Sequence, residues 1–237
     1  MFFPIRDDNP TTRKPILTVT LIVVNCLIFL YTKSLGEEGF QRFIFAFGFT
    51  PDYFFDIHGN YQVPTIIYWT PLFSMFLHQD WMHLIGNMLF FWVFGNNIED
   101  YFGSFKFLIF YLSAGLAALG LYAVFNLDSQ IPLIGASGAV AGVMGAYIVL
   151  HSRAQVTILI VFFLIQFITL PAKVVLGIWF ALQIVMSFIG SGSGGGTAWM
   201  AHVGGFVFGY IVLRILIKIW GRQGSNSDRQ QVYRMNW

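Results

Sequence analysis

Charge is what this chain has least of. Only 10% of its 237 residues are Asp, Glu, Lys or Arg, against about 25% in soluble domains. So few charges cannot cover a water-facing surface, which excludes a soluble globular domain and a disordered chain. Cysteine is nearly absent too. The single Cys26 excludes a disulfide-stapled secreted fold and, inside an apolar run, reads as a packing residue. No repeat at a solenoid period occurs, and no inverted repeat argues for a transporter. What is present instead is apolar: 57% hydrophobic residues, 27 of them Phe, with a mean hydropathy of +0.68. That surface belongs in lipid.

A spanning helix needs about 20 mostly apolar residues. Five runs suit that role: Ile16–Tyr31 with its flanks, His78–Phe94, Phe105–Phe125, Ile134–Leu150 and Val174–Ile189; a sixth is Ala198–Trp220. No small-x-small cleavage site follows the first run, so it reads as a retained anchor. The expected organisation is an all-α six-transmembrane bundle over 16–220, with an N-terminal stretch 1–15 and a polar tail 221–237. Val156–Leu170 is short for a span, β-branched and aromatic, and ends at Pro171. It fits a re-entrant or interfacial segment.

Basic residues set the orientation. With six spans, Arg6, Arg13, Lys14, Lys106, Arg153, Lys173, Lys218, Arg222, Arg229 and Arg234 fall on one side, with Arg214 nearby. Only Lys33 and Arg42 fall on the other. The positive-inside rule places both termini in the cytoplasm. The connection Ser34–Thr70 then faces outward. Its Phe40, Phe43 and Phe47 recur at helical spacing, which fits either an amphipathic segment in the outer leaflet or an ordinary aromatic belt. Ser191–Gly196 is a short Gly/Ser loop on that side.

Polar groups within a bilayer are functional candidates by default. One cluster runs from His78 through His83 to Asn87, a second is Gly135-Ala136-Ser137-Gly138, and a third is His202 with Gly205 and Gly209. Each has a plain alternative. Ser137 suits a tight helix interface, His202 a bond to a backbone carbonyl, and His83 with Asn87 a structural pair on one helix face. A metal site is not expected, because no HExxH pair is present and no carboxylate converges on these residues.

Spans two, four and six run in the same direction, and all three clusters lie near their outer ends. Were Val156–Leu170 to cross, His202 would move to the inner face, far from Ser137; it is therefore expected not to cross. Small residues point the same way. Ser137, Ala141 and Gly145 form one stripe, and His202, Gly205 and Gly209 another, so the two helices can approach closely. That brings a serine hydroxyl to an imidazole. Ser137 is the expected nucleophile and His202 the base that then protonates the leaving amine. No carboxylate is placed to orient the histidine, so a dyad is expected. The Ser137 N–H at a helix N-terminus, with His83 and Asn87, would bind the oxyanion in a cavity open outward. Gly135 and Gly138 allow close backbone approach, and His78 supports the water or the loop above.

These residues resemble the rhomboid family of intramembrane serine proteases. The match rests on Gly135-Ala136-Ser137-Gly138, on Ala201-His202 followed by Gly205 and Gly209, on the His78–His83–Asn87 series, and on Phe94-Gly95-Asn96-Asn97-Ile98-Glu99-Asp100. The resemblance implies an endopeptidase that cuts within or beside transmembrane segments of single-span or multi-span membrane proteins. It implies a partly membrane-embedded first loop, lateral substrate entry near the fifth helix and a small residue before the cut. The expected setting is the bacterial inner membrane, with no cofactor and no nucleic-acid partner. Two positions depart from the family pattern. Trp69 is followed by Thr70 where many members carry Arg, and Ala141 stands where some carry an aromatic stacked on the histidine. Trp199 or Met144 is then expected to hold His202. The alternative is a catalytically inactive rhomboid-like protein that binds membrane clients; it has no need of Ser137 and His202 together.

Overall fold

The computed structural model describes residues 2–56, 58–59, 61–161, 165–189 and 199–223. Among these the chain is mostly helical. Each of the six apolar runs forms a helix: α1 (Ile16–Ser34), α5 (Trp81–Phe102), α6 (Ser104–Phe125), α7 (Ser137–Leu150), α8 (Ala172–Ile189) and α9 (Trp199–Gln223). Shorter helices α2 (Gly36–Phe47), α3 (Pro51–Phe55) and α4 (Thr70–Phe73) fill the long connection after α1. Four of the long helices, α1, α6, α8 and α9, are long and apolar enough to cross a membrane. Away from their ends the outward residues of the first three are mostly apolar, among them Leu27, Ile109, Leu116, Ile178 and Phe188. That suits a lipid-facing surface.

The other two long helices are different in kind. α7 has only 14 residues, and its ten residues from Gly138 to Tyr147 are all buried. It touches α5, α6, α8 and α9, so protein surrounds it. Its length is about 21 Å, well under a hydrocarbon core of about 30 Å. α5 carries His83, Asn87, Asn96, Asn97, Glu99 and Asp100. On α5, Asn97, Glu99 and Asp100 find hydrogen-bond partners in the protein, and on α7 the minimal side chains pack against it.

Local chemistry sets the helix ends. α5 starts at Asp80, whose carboxylate accepts from the His83 N–H at 2.9 Å, a side-chain N-cap. Gly103, at φ +73, breaks α5 from α6. α1 is capped from a distance. Buried Glu99 accepts from the N–H groups of Leu17 and Thr18, each at 2.8 Å, from the Thr18 hydroxyl at 2.8 Å and from the Ser104 hydroxyl at 2.6 Å. Next to it, Asp100 accepts from the Thr12 and Arg13 N–H groups. The Glu99-Asp100 pair thus ties the start of α1 to the end of α5.

Two stretches depart from the all-α expectation. Val156–Leu170 is a β-hairpin, β2 (Gln155–Val161) against β3 (Ile165–Pro171), paired antiparallel from Gln155↔Pro171 to Val161↔Ile165. Its β-branched residues Val156, Thr157, Ile158, Ile160, Ile168 and Thr169 suit a pleated strand and not a helix. The two ends of the hairpin lie together, since Ala172 N–H donates to Ala154 O and Lys173 N–H to Ser152 O. The second is in the N-terminal stretch. Phe2–Asp7 is β1, which pairs with β2 to give the order β1-β2-β3. Pro4 sits on this edge strand, where its missing donor is tolerated.

A polar cluster holds that sheet to the helices. The Asp7 carboxylate accepts from the Tyr147 hydroxyl and, at 2.8 Å, from Asn97 Nδ2; Asn9 donates to Asn97 Oδ1. In α2, Phe40 and Ile44 pack with Leu77, and Phe43 and Phe47 lie against them. The aromatic face of this helix therefore rests on the protein. The Ser191–Gly196 loop and residues 224–237 of the tail lie outside the described residues.

Candidate functional site

The site begins at Gly135. Its φ of +123 is one that L side chains rarely adopt. A Cβ there would also lie 2.6 Å from His83 Nε2 and 3.6 Å from Asn87 Nδ2. Glycine is needed on both counts, and the same contacts put the His83 and Asn87 side chains beside the turn that leads into α7. The turn delivers Ser137 as the first residue of the helix. Ala136 occupies the N-cap and makes no side-chain cap bond, so the first N–H groups of α7 are not claimed by a capping side chain.

α9 supplies the histidine. Its approach to α7 is backbone on backbone: a Cβ on Gly205 would run into the Gly138 carbonyl, one on Gly209 into the Gly142 carbonyl, and one on Gly145 into the Phe206 carbonyl. The His202–Gly205–Gly209 stripe is thus the contacting edge of α9. On α7 the edge is Gly138–Gly142–Gly145, a correction to the Ser137–Ala141–Gly145 stripe, since the closest approach needs positions with no side chain at all. Gly138 also faces α6, where a Cβ would come within 2.6 Å of Ala118 Cβ.

With the helices so close, His202 Nε2 lies 2.8 Å from Ser137 Oγ. His202 Nδ1 lies 2.7 Å from Gln183 Oε1 on α8. The ring is flanked by Trp179, centroids 5.8 Å apart, and meets Trp199 edge-on at 6.1 Å. Trp199 therefore touches His202 as expected. Met144 lies buried in α7, and Trp179 occupies the position beside the ring instead.

Across the cleft, Gln79 N–H donates to His83 Nδ1 at 3.4 Å. A neutral imidazole with an accepting Nδ1 carries its proton on Nε2, the atom that faces Gly135. The Asn87 Nδ2 is buried and, among the described residues, has no hydrogen-bond partner. Two donors with no protein acceptor thus border the turn before Ser137. His78 precedes α5, is fully buried and packs edge-on against His83 at 5.1 Å. A cleft lined by Ser74, Met75, Gly135, Ser137, Gly138 and Ala201 opens beside the serine. No cluster of metal-ligating side chains occurs among the described residues.

Sequence reasoning missed Gln183 and Trp179. The signal for Gln183 was present: it is the sole Asn, Gln or charged residue between Val174 and Ile189, and an isolated polar group in such a run calls for a partner.

Known proteins are similar to this chain. A family model described as Rhomboid domain matches residues 67–219, which include every residue of this site. The rhomboid protease GluP of Bacillus subtilis (strain 168) is 32% identical over 142 residues, 59% of this chain and 26% of that protein. Rhomboid protein 1, mitochondrial, of Saccharomyces cerevisiae (strain ATCC 204508 / S288c) is 30% identical over 58% of this chain and 39% of its own length. Rhomboid protease AarA of Providencia stuartii is 27% identical over 56% of this chain and 50% of its own. The chain thus spans between a quarter and a half of the length of these curated relatives. Apolar helices, site geometry and the family match converge: this is an integral membrane protein, and the chain belongs to the rhomboid family.

Proposed function

We propose that this protein is an intramembrane serine endopeptidase in which Ser137 and His202 form the catalytic dyad. The observation that carries the reading is the 2.8 Å contact between Ser137 Oγ and His202 Nε2 at the head of α7. Ser137 attacks the scissile carbonyl as its proton passes to His202 Nε2. The carbonyl oxygen becomes an oxyanion held by the Ser137 N–H, His83 Nε2–H and Asn87 Nδ2–H. His202 then gives its proton to the leaving amine, and the acyl-enzyme forms. A water, deprotonated by the same nitrogen, displaces the serine and restores the site. His78, packed edge-on against His83, supports that ring.

The apolar helices support a membrane setting. We place six of them, α1 and α5 through α9, in a transmembrane bundle whose shorter α7 is enclosed by the others, with both termini in the cytoplasm of a bacterial cell. The basic stretch before α1, the last turns of α5 and α7 and the three-stranded sheet occupy one end of the molecule, which suits the cytoplasmic face. Ser137 then heads a helix too short to reach both faces, so it opens toward the outer side, below the lipid surface. Substrates in this reading are transmembrane segments of single-span or multi-span membrane proteins. A client-binding protein without catalysis has no use for a serine and an imidazole at hydrogen-bond distance, which favours the protease.

The test is cleavage of a single-span model substrate by purified protein in proteoliposomes. Wild type is expected to cut it, and Ser137→Ala and His202→Ala to be inactive. A fluorophosphonate probe should label wild type and not Ser137→Ala. Cleavage that survives in both variants would overturn the dyad.

A further inference from the structure

The histidine of this site has a second hydrogen-bond partner that composition hides. Gln183 lies on α8, 19 residues before His202, and is 5% exposed. Its amide orientation is set by its own helix: Nε2 donates to the Trp179 carbonyl at 3.2 Å, which turns Oε1 toward His202. Oε1 sits 2.7 Å from His202 Nδ1. An amide oxygen can only accept, so Nδ1 must carry the ring proton. A neutral imidazole has one N–H, which leaves the lone pair on Nε2, facing the Ser137 hydroxyl at 2.8 Å. The opposite tautomer would set two acceptors against each other at hydrogen-bond distance and would block Nε2 as a base. Trp179 and Trp199 flank the ring but offer it no hydrogen bond at Nδ1.

Resting on the protease reading above, we propose that Gln183 is a positioning residue. It fixes the tautomer and ring orientation of His202, a neutral counterpart of the carboxylate in Ser-His-Asp sites. The chain Ser137–His202–Gln183 joins α7, α9 and α8, so the base is competent only when α8 is packed in place. Being neutral, Gln183 orients the imidazole without adding a buried charge to a membrane-embedded site.

Gln183→Leu removes the acceptor at similar volume, whereas Gln183→Glu keeps an oxygen acceptor. In proteoliposomes with the single-span substrate, Gln183→Leu is expected to lower kcat by about tenfold, the scale of one lost hydrogen bond to the base, with KM unchanged. Gln183→Glu is expected to recover most of that loss. Wild-type kcat in Gln183→Leu, or equal impairment in both variants, would overturn the proposal. A second measurement does not depend on turnover. Ring nitrogen-15 spectra, with the His202 signals identified by their loss in His202→Ala, should show a protonated Nδ1 in wild type and a populated Nε2–H form in Gln183→Leu. A wild-type His202 protonated on Nε2 would overturn the role of Gln183 whatever the activity. Cleavage surviving in Ser137→Ala would instead overturn the protease reading and leave the tautomer result standing.

Discussion

Glu99 offers the sharpest test of how this fold is held. Its carboxylate is 1% exposed and accepts four hydrogen bonds, from the Leu17 and Thr18 N–H groups and from the Thr18 and Ser104 hydroxyls. Leu17 and Thr18 lie in the first turn of α1, so their N–H groups have no partner within the helix. Pro15 at the N-cap supplies no side-chain acceptor. Consider Glu99→Gln, nearly the same shape. One oxygen becomes an NH2 group, which cannot accept and faces a backbone N–H. At least one charge-assisted bond is lost and one buried donor is stranded, a penalty of about 2–4 kcal/mol. Glu99→Ala removes every acceptor and should cost about 3–5 kcal/mol. Thr18→Val deletes only one of the four donors and should cost about 1 kcal/mol. Thermal unfolding of purified protein in detergent reads all three, and the expected order of midpoints is wild type, Thr18→Val, Glu99→Gln, Glu99→Ala. Protease access to residues 8–15 should rise in the same order. A Glu99→Gln protein as stable as wild type would refute the capping role.

Asn87→Ala removes one proposed oxyanion donor and should lower kcat by about a hundredfold with little change in KM; unchanged kcat in the cleavage assay would remove Asn87 from the site. Gly209→Ala places a Cβ against the Gly142 carbonyl and should cost at least about 1–3 kcal/mol and reduce cleavage, by forcing α9 off α7. Gly177→Ala on α8 meets nothing within 4 Å and should leave the unfolding midpoint unchanged or slightly raised, so equal effects of these two variants would refute the packing account. Burial holds His151, just past α7, down at about 4. The unfolded chain then binds more protons than the folded one between about pH 6.5 and 4, so stability should fall as pH drops through that window. The slope is up to about 1.4 kcal/mol per pH unit. Asp7, raised above 3.8 chiefly by burial, works the opposite way at the acid end. Midpoints measured from pH 7 to 4.5 should decline less in His151→Gln, and parallel curves would refute this.

The helices and the reactive residues were legible because both signals are local. A run such as Phe105–Phe125 must be a buried or lipid-facing helix, and a serine or histidine inside such a run stands out against its neighbours. That Ser137 meets His202, with His83 and Asn87 beside the turn before it, was legible from the alternation of the apolar runs. The strand character of Val156–Leu170 was written in its β-branched residues, but its partner strand lies over 140 residues away at Phe2–Asp7, and no local pattern pairs them. Gln183 was visible as an oddity without an assignable partner. Glu99 was visible as part of a family segment, and only contact with α1 explains it.

By itself the sequence determined that the chain lives in lipid, and that a serine and a histidine sit near the starts of two glycine-rich helices. Hydropathy, charge and spacing are properties of single segments, and they survive without knowledge of any neighbour. Only the tertiary structure decided which faces meet: Gly205 on the Gly138 carbonyl, Gln183 rather than a carboxylate at His202 Nδ1, and Glu99 at the head of α1. Those choices depend on atoms brought within about 3 Å by helices far apart in the chain, where a hydrogen bond or a van der Waals contact exists at one approach and vanishes an ångström away.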